Sequence, residues 1–79
     1  MKHLNDIPGF DWATLKLVDG ERCAKVCVWR ESFWIAECVE ESDGKVSGEV
    51  ANVLLFTCEH GLMYGDRVTF TPERPSDLA

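Results

Sequence analysis

Five residues carry side chains suited to metal or nucleophilic chemistry: Cys23, Cys27, Cys38, Cys58 and His60. A structural zinc site draws four thiolate or imidazole ligands to one point, usually from paired C-x-x-C knuckles. The chain has no such knuckle. Cys23 and Cys27 stand four residues apart, roughly 13 Å along an extended strand, so they share one ion only if the strand bends. Cys58 and His60 offer two ligands with no defined third or fourth. The same pair has the makings of a thiol nucleophile and its base. That chemistry also needs a group to orient the base and a donor for the oxyanion, and the sequence supplies neither. The expectation is therefore no catalytic residue, no metal site and no cofactor, with the cysteines as small buried fillers. A small thiol- or metal-binding protein built on these five residues is one alternative.

The second group is acidic. Glu37, Glu40, Glu41 and Asp43 lead into a hairpin tip at Asp43–Gly44, and Glu49 follows on the return. Paired carboxylates do acid–base work when a pocket sets their pKa values apart, and a very small barrel has little room for one. Two readings fit these acids: a solvated tip that blocks edge pairing, or an acidic patch for a basic protein surface. The third group is Trp29 and Trp34. Strand alternation puts both on the face away from the core, where aromatic side chains left uncovered mark interaction sites. The candidate protein-interaction residues are thus Trp29, Trp34, Glu37, Glu40, Glu41, Asp43 and Glu49.

The elements that must position them follow from the turn signals. Asp19–Gly20, Arg30–Glu31–Ser32, Asp43–Gly44, His60–Gly61 and Gly65–Asp66 punctuate segments dense in Val, Phe, Trp and Thr. Short strands at that spacing indicate a small sandwich or barrel. A type I′ turn at Asp19–Gly20 places Leu17 opposite Arg22 and Leu15 opposite Ala24. A turn on Arg30–Glu31 places Val28 opposite Phe33 and Val26 opposite Ile35. Ala13, Leu15, Leu17, Ala24, Val26, Val28, Phe33 and Ile35 then share one face, the expected core. Cys23, Cys27, Trp29, Trp34, Ala36 and Cys38 fall on the other, with Cys23 opposite Cys38, close enough to raise the question of a disulfide. A strict turn at Asp43–Gly44 would bring Glu37 onto the apolar face. Either a bulge near Gly48 shifts the register or Glu37 sits at the rim. Val50–Phe56 reads as a strand buried on both sides or two short strands about a bend. The last strand runs from Arg67 to Thr71, and residues 76–79 have room for one helical turn. The fold class is mainly all-β: a five- to six-stranded antiparallel meander, an SH3-like barrel or strongly bent sheet. Residues 1–9 read as a loosely ordered lead-in, and 10–79 as one domain. Partial coverage of the Trp29/Trp34 face, by residues 1–12 or by the 57–66 loop, with one tryptophan left accessible, is one further expectation.

The chain has 79 residues and a net charge of −6. Its basic residues are scattered, which disfavours direct nucleic-acid binding. No apolar stretch is long enough for a membrane span, and residues 1–9 lack a signal-peptide apolar region. A cytoplasmic setting with reduced cysteines is the expectation.

Phe33–Trp34–Ile35, then Asp43–Gly44–Lys45, Gly48, Val50 and Asn52, then Gly61–Leu62 and Gly65–Asp66–Arg67–Val68–Thr69–Phe70 have a familiar order. Over about residues 26–78 the chain resembles a class of small uncharacterised bacterial, plasmid and phage β-barrel domains. These read as an aromatic pair, a DG turn, a GxVxN stretch and a GDxVxF strand. The Cys-rich segment 23–27 is not part of that pattern. The resemblance implies an accessory, non-enzymatic protein from a mobile element, with no catalytic residues to carry over.

The function expected is a non-enzymatic acidic protein-binding module whose partner has a basic surface. One concrete form is a phage-type inhibitor of a host defence complex, comparable to the inhibitors of CRISPR systems, occupying a basic channel with its carboxylates. The alternative is a homo-oligomeric structural or accessory domain, a homodimer being the simplest case.

Overall fold

The computed structural model describes residues 1–41 and 43–73. Within them the chain forms β1 (Lys2–His3), a 3₁₀ turn (Leu4–Asp6), β2 (Phe10–Val18), β3 (Glu21–Val28), β4 (Glu31–Glu40), β5 (Val46–Val50), the one-turn helix α1 (Thr57–His60) and β6 (Arg67–Phe70). The strands make one sheet in the order β1-β6-β5-β4-β3-β2, curled into a half-barrel. All neighbours are antiparallel except β1 and β6, which run parallel. The mainly β, strongly bent sheet expected from the turn spacing is thus the observed architecture. Among the described residues no helix is long and apolar enough to cross a membrane.

Alternation builds the core. Ala13, Ala24, Val26, Val28, Phe33 and Ile35 all lie on the inner face, at most 1% exposed. Val46, Val50, Val68 and Phe70 extend it across β5 and β6. Leu17, expected with them, is 52% exposed because β2 has by then run past the end of the core. The β2–β3 hairpin closes on Asp19–Gly20 with both φ values positive (51° and 79°), and Leu15 pairs with Ala24 as expected.

The β3–β4 hairpin corrects the sequence reading. It closes on Trp29–Arg30, not Arg30–Glu31, and Val26 pairs with Phe33 where Ile35 was expected. The slip is two residues, so every side chain keeps its face. Trp29 and Arg30 adopt φ of 54° and 64°, a left-handed geometry that costs roughly 1–2 kcal/mol per non-glycine residue. Two contacts offset it. The Trp29 N–H donates to the Gly9 carbonyl at 2.9 Å. The indole also packs so closely on Gly9 that a Cβ there would come within 2.8 Å of Nε1.

Between β4 and β5 the bulge alternative holds. Glu37 and Cys38 together oppose Gly48, with the register shift falling between Ala36 and Val39. Glu37 has φ 54° and stays exposed, so it occupies neither the apolar face nor the core. The extra residue turns Cys38 inward, where it is 7% exposed and belongs to the core. Cys38 therefore does not share the outer face with Cys23 as expected.

Residues 1–9 are not a loose lead-in. Lys2 and His3 pair with Val68 and Thr69, and Leu4 is fully buried. Since β1 and β2 lie on opposite edges of the sheet, the segment between them spans the open side of the half-barrel. It plugs the core from within, and its end covers part of Trp29, whose indole packs on Gly9 and stays 42% exposed. Two further links tie the edges. Asn5 accepts the Thr71 N–H at 2.8 Å and donates to its carbonyl at 3.0 Å, and the Glu73 N–H donates to the Ala13 carbonyl at 3.0 Å. The helical turn expected over 76–79 lies outside the described residues.

Candidate functional site

Val50–Phe56 is not a buried strand. β5 ends at Val50, and the chain leaves the sheet for a connection that returns at Arg67. Its base is stitched by the Val50 N–H to the Asp66 carbonyl and the Gly65 N–H to the Val50 carbonyl, both 2.9 Å. Its start is tied to β4: the Trp34 N–H donates to Asn52 Oδ1 at 2.7 Å, and the Ala51 N–H to the Trp34 carbonyl at 2.9 Å. Leu54 packs against the core and Leu62 is fully buried. Between these anchors, Val53, Leu55, Phe56, Met63 and Tyr64 are 81, 81, 44, 54 and 65% exposed.

A largely enclosed carboxylate holds this connection. Glu31 is the first residue of β4 and has the inward parity of Phe33 and Ile35. At the mouth of the half-barrel its carboxylate accepts the N–H groups of Leu55 (2.6 Å) and Phe56 (3.1 Å), and His60 Nε2–H at 3.0 Å. The His60 ring is enclosed, 6.2 Å from the Phe33 ring centre. Its Nδ1 accepts the Leu62 N–H at 3.0 Å, so the ring carries its proton on Nε2 and gives it to Glu31. Burial pushes the Glu31 carboxyl up. The Leu55 N–H, the His60 ring and the Phe56 N–H together outweigh it and hold the carboxyl below its usual value. Gly61, at φ 77°, ends α1 and lets the chain turn back so that Leu62 can reach the ring.

This arrangement decides what His60 can do. Both ring nitrogens are engaged, one by Glu31 and one by Leu62, and neither is open to take a proton from Cys58. Cys58 itself is exposed. Cys23, Cys27, Cys38 and Cys58 are all free thiols. Burial, with Cys23 adding to it, pushes the Cys38 thiol up to about 12. Burial and Glu21 raise Cys23 against the pull of Lys16. Cys27 lies between Trp12 and Ser32 in register and is 6% exposed. Among the described residues no three His, Cys, Asp or Glu side chains gather as a metal site requires.

No family model matches the chain, and no curated protein or solved structure matches it either. The functional reading accordingly rests on the side chains.

The expected interaction residues fall into separate places. Glu40 pairs with Arg22 at 3.0 Å. Glu41 accepts the Ser47 hydroxyl at 2.9 Å. Asp43 accepts the Lys45 N–H at 3.2 Å and lies 3.9 Å from its ammonium. These acids share one end of the molecule with Asp19 and Glu21, because the Arg22–Glu40 pair brings the β2–β3 turn beside the end of β4. Glu49 lies on the outer face, between Ala36 and Arg67 in register. Trp34 is half-buried on that face under the Lys25 ammonium, 4.7 Å from the ring centre. Trp29 sits in the β3–β4 turn, at the opposite end of the ten-residue β4 from the acidic tip, a separation of about 30 Å at strand rise. The structure thus brings Glu40, Glu41 and Asp43 to one end, sets Glu37 in the β4 bulge and Glu49 on the outer face, and leaves Trp29 apart from the acidic end. The Glu31–His60 network and the exposed connection were missed. Glu31 had a signal: a carboxylate in phase with Phe33 and Ile35 must meet buried donors.

Proposed function

We propose that this chain is a non-enzymatic, acidic protein-binding module whose partner presents a basic surface. The supporting observation is the charge distribution. Asp19, Glu21, Glu40, Glu41 and Asp43 set five carboxylates at one end, against Lys16, Arg22 and Lys45, on a chain of net charge −6. The ion pairs there are exposed, so they leave the negative field largely in place while fixing the side chains that produce it. Such a field speeds encounter with a cationic surface and discriminates against acidic ones. An inhibitor that occupies the basic channel of a host defence complex is the concrete form this reading takes.

The test is capture from lysate of the source cells, with the wild type and the triple variant Glu40→Lys, Glu41→Lys, Asp43→Lys as baits. The expected result is a protein retained by the wild type, weakened by salt and lost with the variant, whose circular dichroism stays that of the wild type. Equal capture by both baits overturns the reading.

A further inference from the structure

The end of the molecule away from the acids has a different chemistry. Val53, Leu55, Phe56, Met63 and Tyr64 are all exposed on the one connection. At about 150–250 Å² for an aromatic side chain and less for Val, Leu and Met, their exposures together amount to at most roughly 500–800 Å². The largest apolar patch on a typical monomer is about 300–600 Å² and is often functional, and a standard stable interface takes about 800 Å² from each side, which the upper end of this exposed area reaches. The connection is also held in place. Glu31 fixes the backbone of Leu55 and Phe56, and Asp66 Oδ2 accepts the Met63 N–H at 3.1 Å. A patch on a fixed backbone loses little conformational freedom on docking.

Charge selects the occupant. Apart from the enclosed Glu31, the ionic groups on or tied to this connection have both signs: Glu49, Glu59 and Asp66 with Lys2 and Arg67. Lys2 donates its ammonium to the Gly61 carbonyl, and Arg67 is the register partner of Glu49. The excess negative charge lies at the acidic end, about 30 Å away along β4, which is several Debye lengths at physiological salt (about 8 Å each). Two copies meeting through this end therefore bring apolar surface and charge of both signs together and keep their acidic ends apart. We infer that the 53–64 connection is a homodimer interface, with the same patch on both copies related by a two-fold axis. This reading is independent of the acidic end and leaves that end free for a partner.

Sedimentation over a wide range of protein concentration tests it. The wild type is expected to show a reversible monomer–dimer equilibrium with little dependence on salt. Leu55→Asp and Val53→Asp, both at outward-facing positions, are expected to raise the dimer dissociation constant by roughly tenfold or more, with unchanged circular dichroism and with melting that matches the wild type at dilutions where both are monomeric. The triple lysine variant of the acidic end is expected to dimerise as the wild type does. A wild type that stays monomeric at every concentration overturns the inference. So does a dimer that survives both aspartates, which would place the contact on another face.

Discussion

Glu31 Oε1 lies 3.0 Å from His60 Nε2, a contact made across 29 residues of chain. It is the centre of a closed set of hydrogen bonds in which one carboxylate takes three donors and the ring's other nitrogen takes a fourth. Removing the carboxylate leaves the Leu55 and Phe56 N–H groups and the His60 ring without their acceptor. Glu31→Ala is expected to cost about 3 kcal/mol, a large share of the stability of so small a domain. Glu31→Gln keeps one acceptor oxygen and should lose less. Urea unfolding measures both. Hydrogen exchange at Leu55 and Phe56 should quicken in the alanine variant well beyond the change at Val26. A loss under 0.5 kcal/mol, within the usual scatter of surface substitutions, would show that the network contributes little.

The same carboxylate sets a pH dependence. Burial raises the Glu31 pKa, but the Leu55 N–H, the His60 ring and the Phe56 N–H lower it by more. The folded value is therefore below the unfolded one, about 4.3 for a glutamate. The contribution of Glu31 is fully present above that unfolded value and is lost as the pH falls through the folded one. The difference in melting temperature between the wild type and Glu31→Gln should be largest above about pH 5 and shrink below it. Glu31→Gln should start lower and decline less steeply over the same acid window. Parallel curves for the two proteins would remove Glu31 from the account.

Much of the core was legible because strand alternation is robust. The Trp29–Arg30 turn displaced the β3–β4 register by two residues, and Val26, Phe33 and Ile35 kept their face all the same. Other features were hidden by the absence of periodicity. A two-residue strand such as Lys2–His3 has no pattern to detect, and its parallel pairing with β6 is a long-range event. Gly48 hinted at the bulge, but only the structure shows that the extra residue is on β4, which sends Cys38 inward. The acidic end was visible as a run of carboxylates. The apolar connection was not, because Val53, Leu55 and Phe56 read like buried residues.

Burial ranks the four thiols. A Cys38 thiol at about 12 is ionised at pH 8 to only about one part in ten thousand, and the thiolate is the reacting form. Cys27 is equally enclosed. Cys58 is exposed. With an aromatic disulfide reagent at that pH, Cys58 should react first and Cys23 more slowly. Cys27 and Cys38 should react only at the rate of unfolding. Cys58→Ser should remove the fast phase and leave the melting temperature unchanged. Four thiols reacting together in the native protein would contradict the burial of Cys27 and Cys38.

The Trp29–Arg30 turn carries a removable strain. Arg30 holds φ 64°, where glycine avoids the left-handed cost of roughly 1–2 kcal/mol and gives back part of it as unfolded-state entropy. Arg30→Gly should therefore stabilise the fold by about 0.5–1 kcal/mol, raising the melting temperature by about 2–8 °C for a domain of this size. A turn centred on Arg30–Glu31 would put Glu31 in the left-handed region and away from His60. A melting temperature lowered by Arg30→Gly would count against the Trp29–Arg30 turn.

Gly48 faces the bulge, and the space above it is taken. A Cβ there would overlap Ile35 Cγ2, lie 2.9 Å from the Ala36 carbonyl oxygen and come within 3.3 Å of Cys38 Sγ. Gly44 differs: its φ is 85° and nothing lies within 4 Å of an added Cβ. Alanine at Gly44 should cost only the left-handed strain, about 1 kcal/mol. Alanine at Gly48 should cost about 2–3 kcal/mol, the range of core overpacking. Spatial conflict can be separated from other causes by a double-mutant cycle with Ile35→Ala. That change alone opens a cavity and should cost about 2–5 kcal/mol. Combined with Gly48→Ala it frees the room that the new methyl group needs. The double variant should then be more stable than the sum of the singles by about 1 kcal/mol or more, a coupling typical of residues in contact. Strict additivity would mean that the Ile35 methyl is not what excludes a side chain at residue 48, leaving the Ala36 carbonyl as the obstacle and the bulge backbone itself as the reason for the glycine.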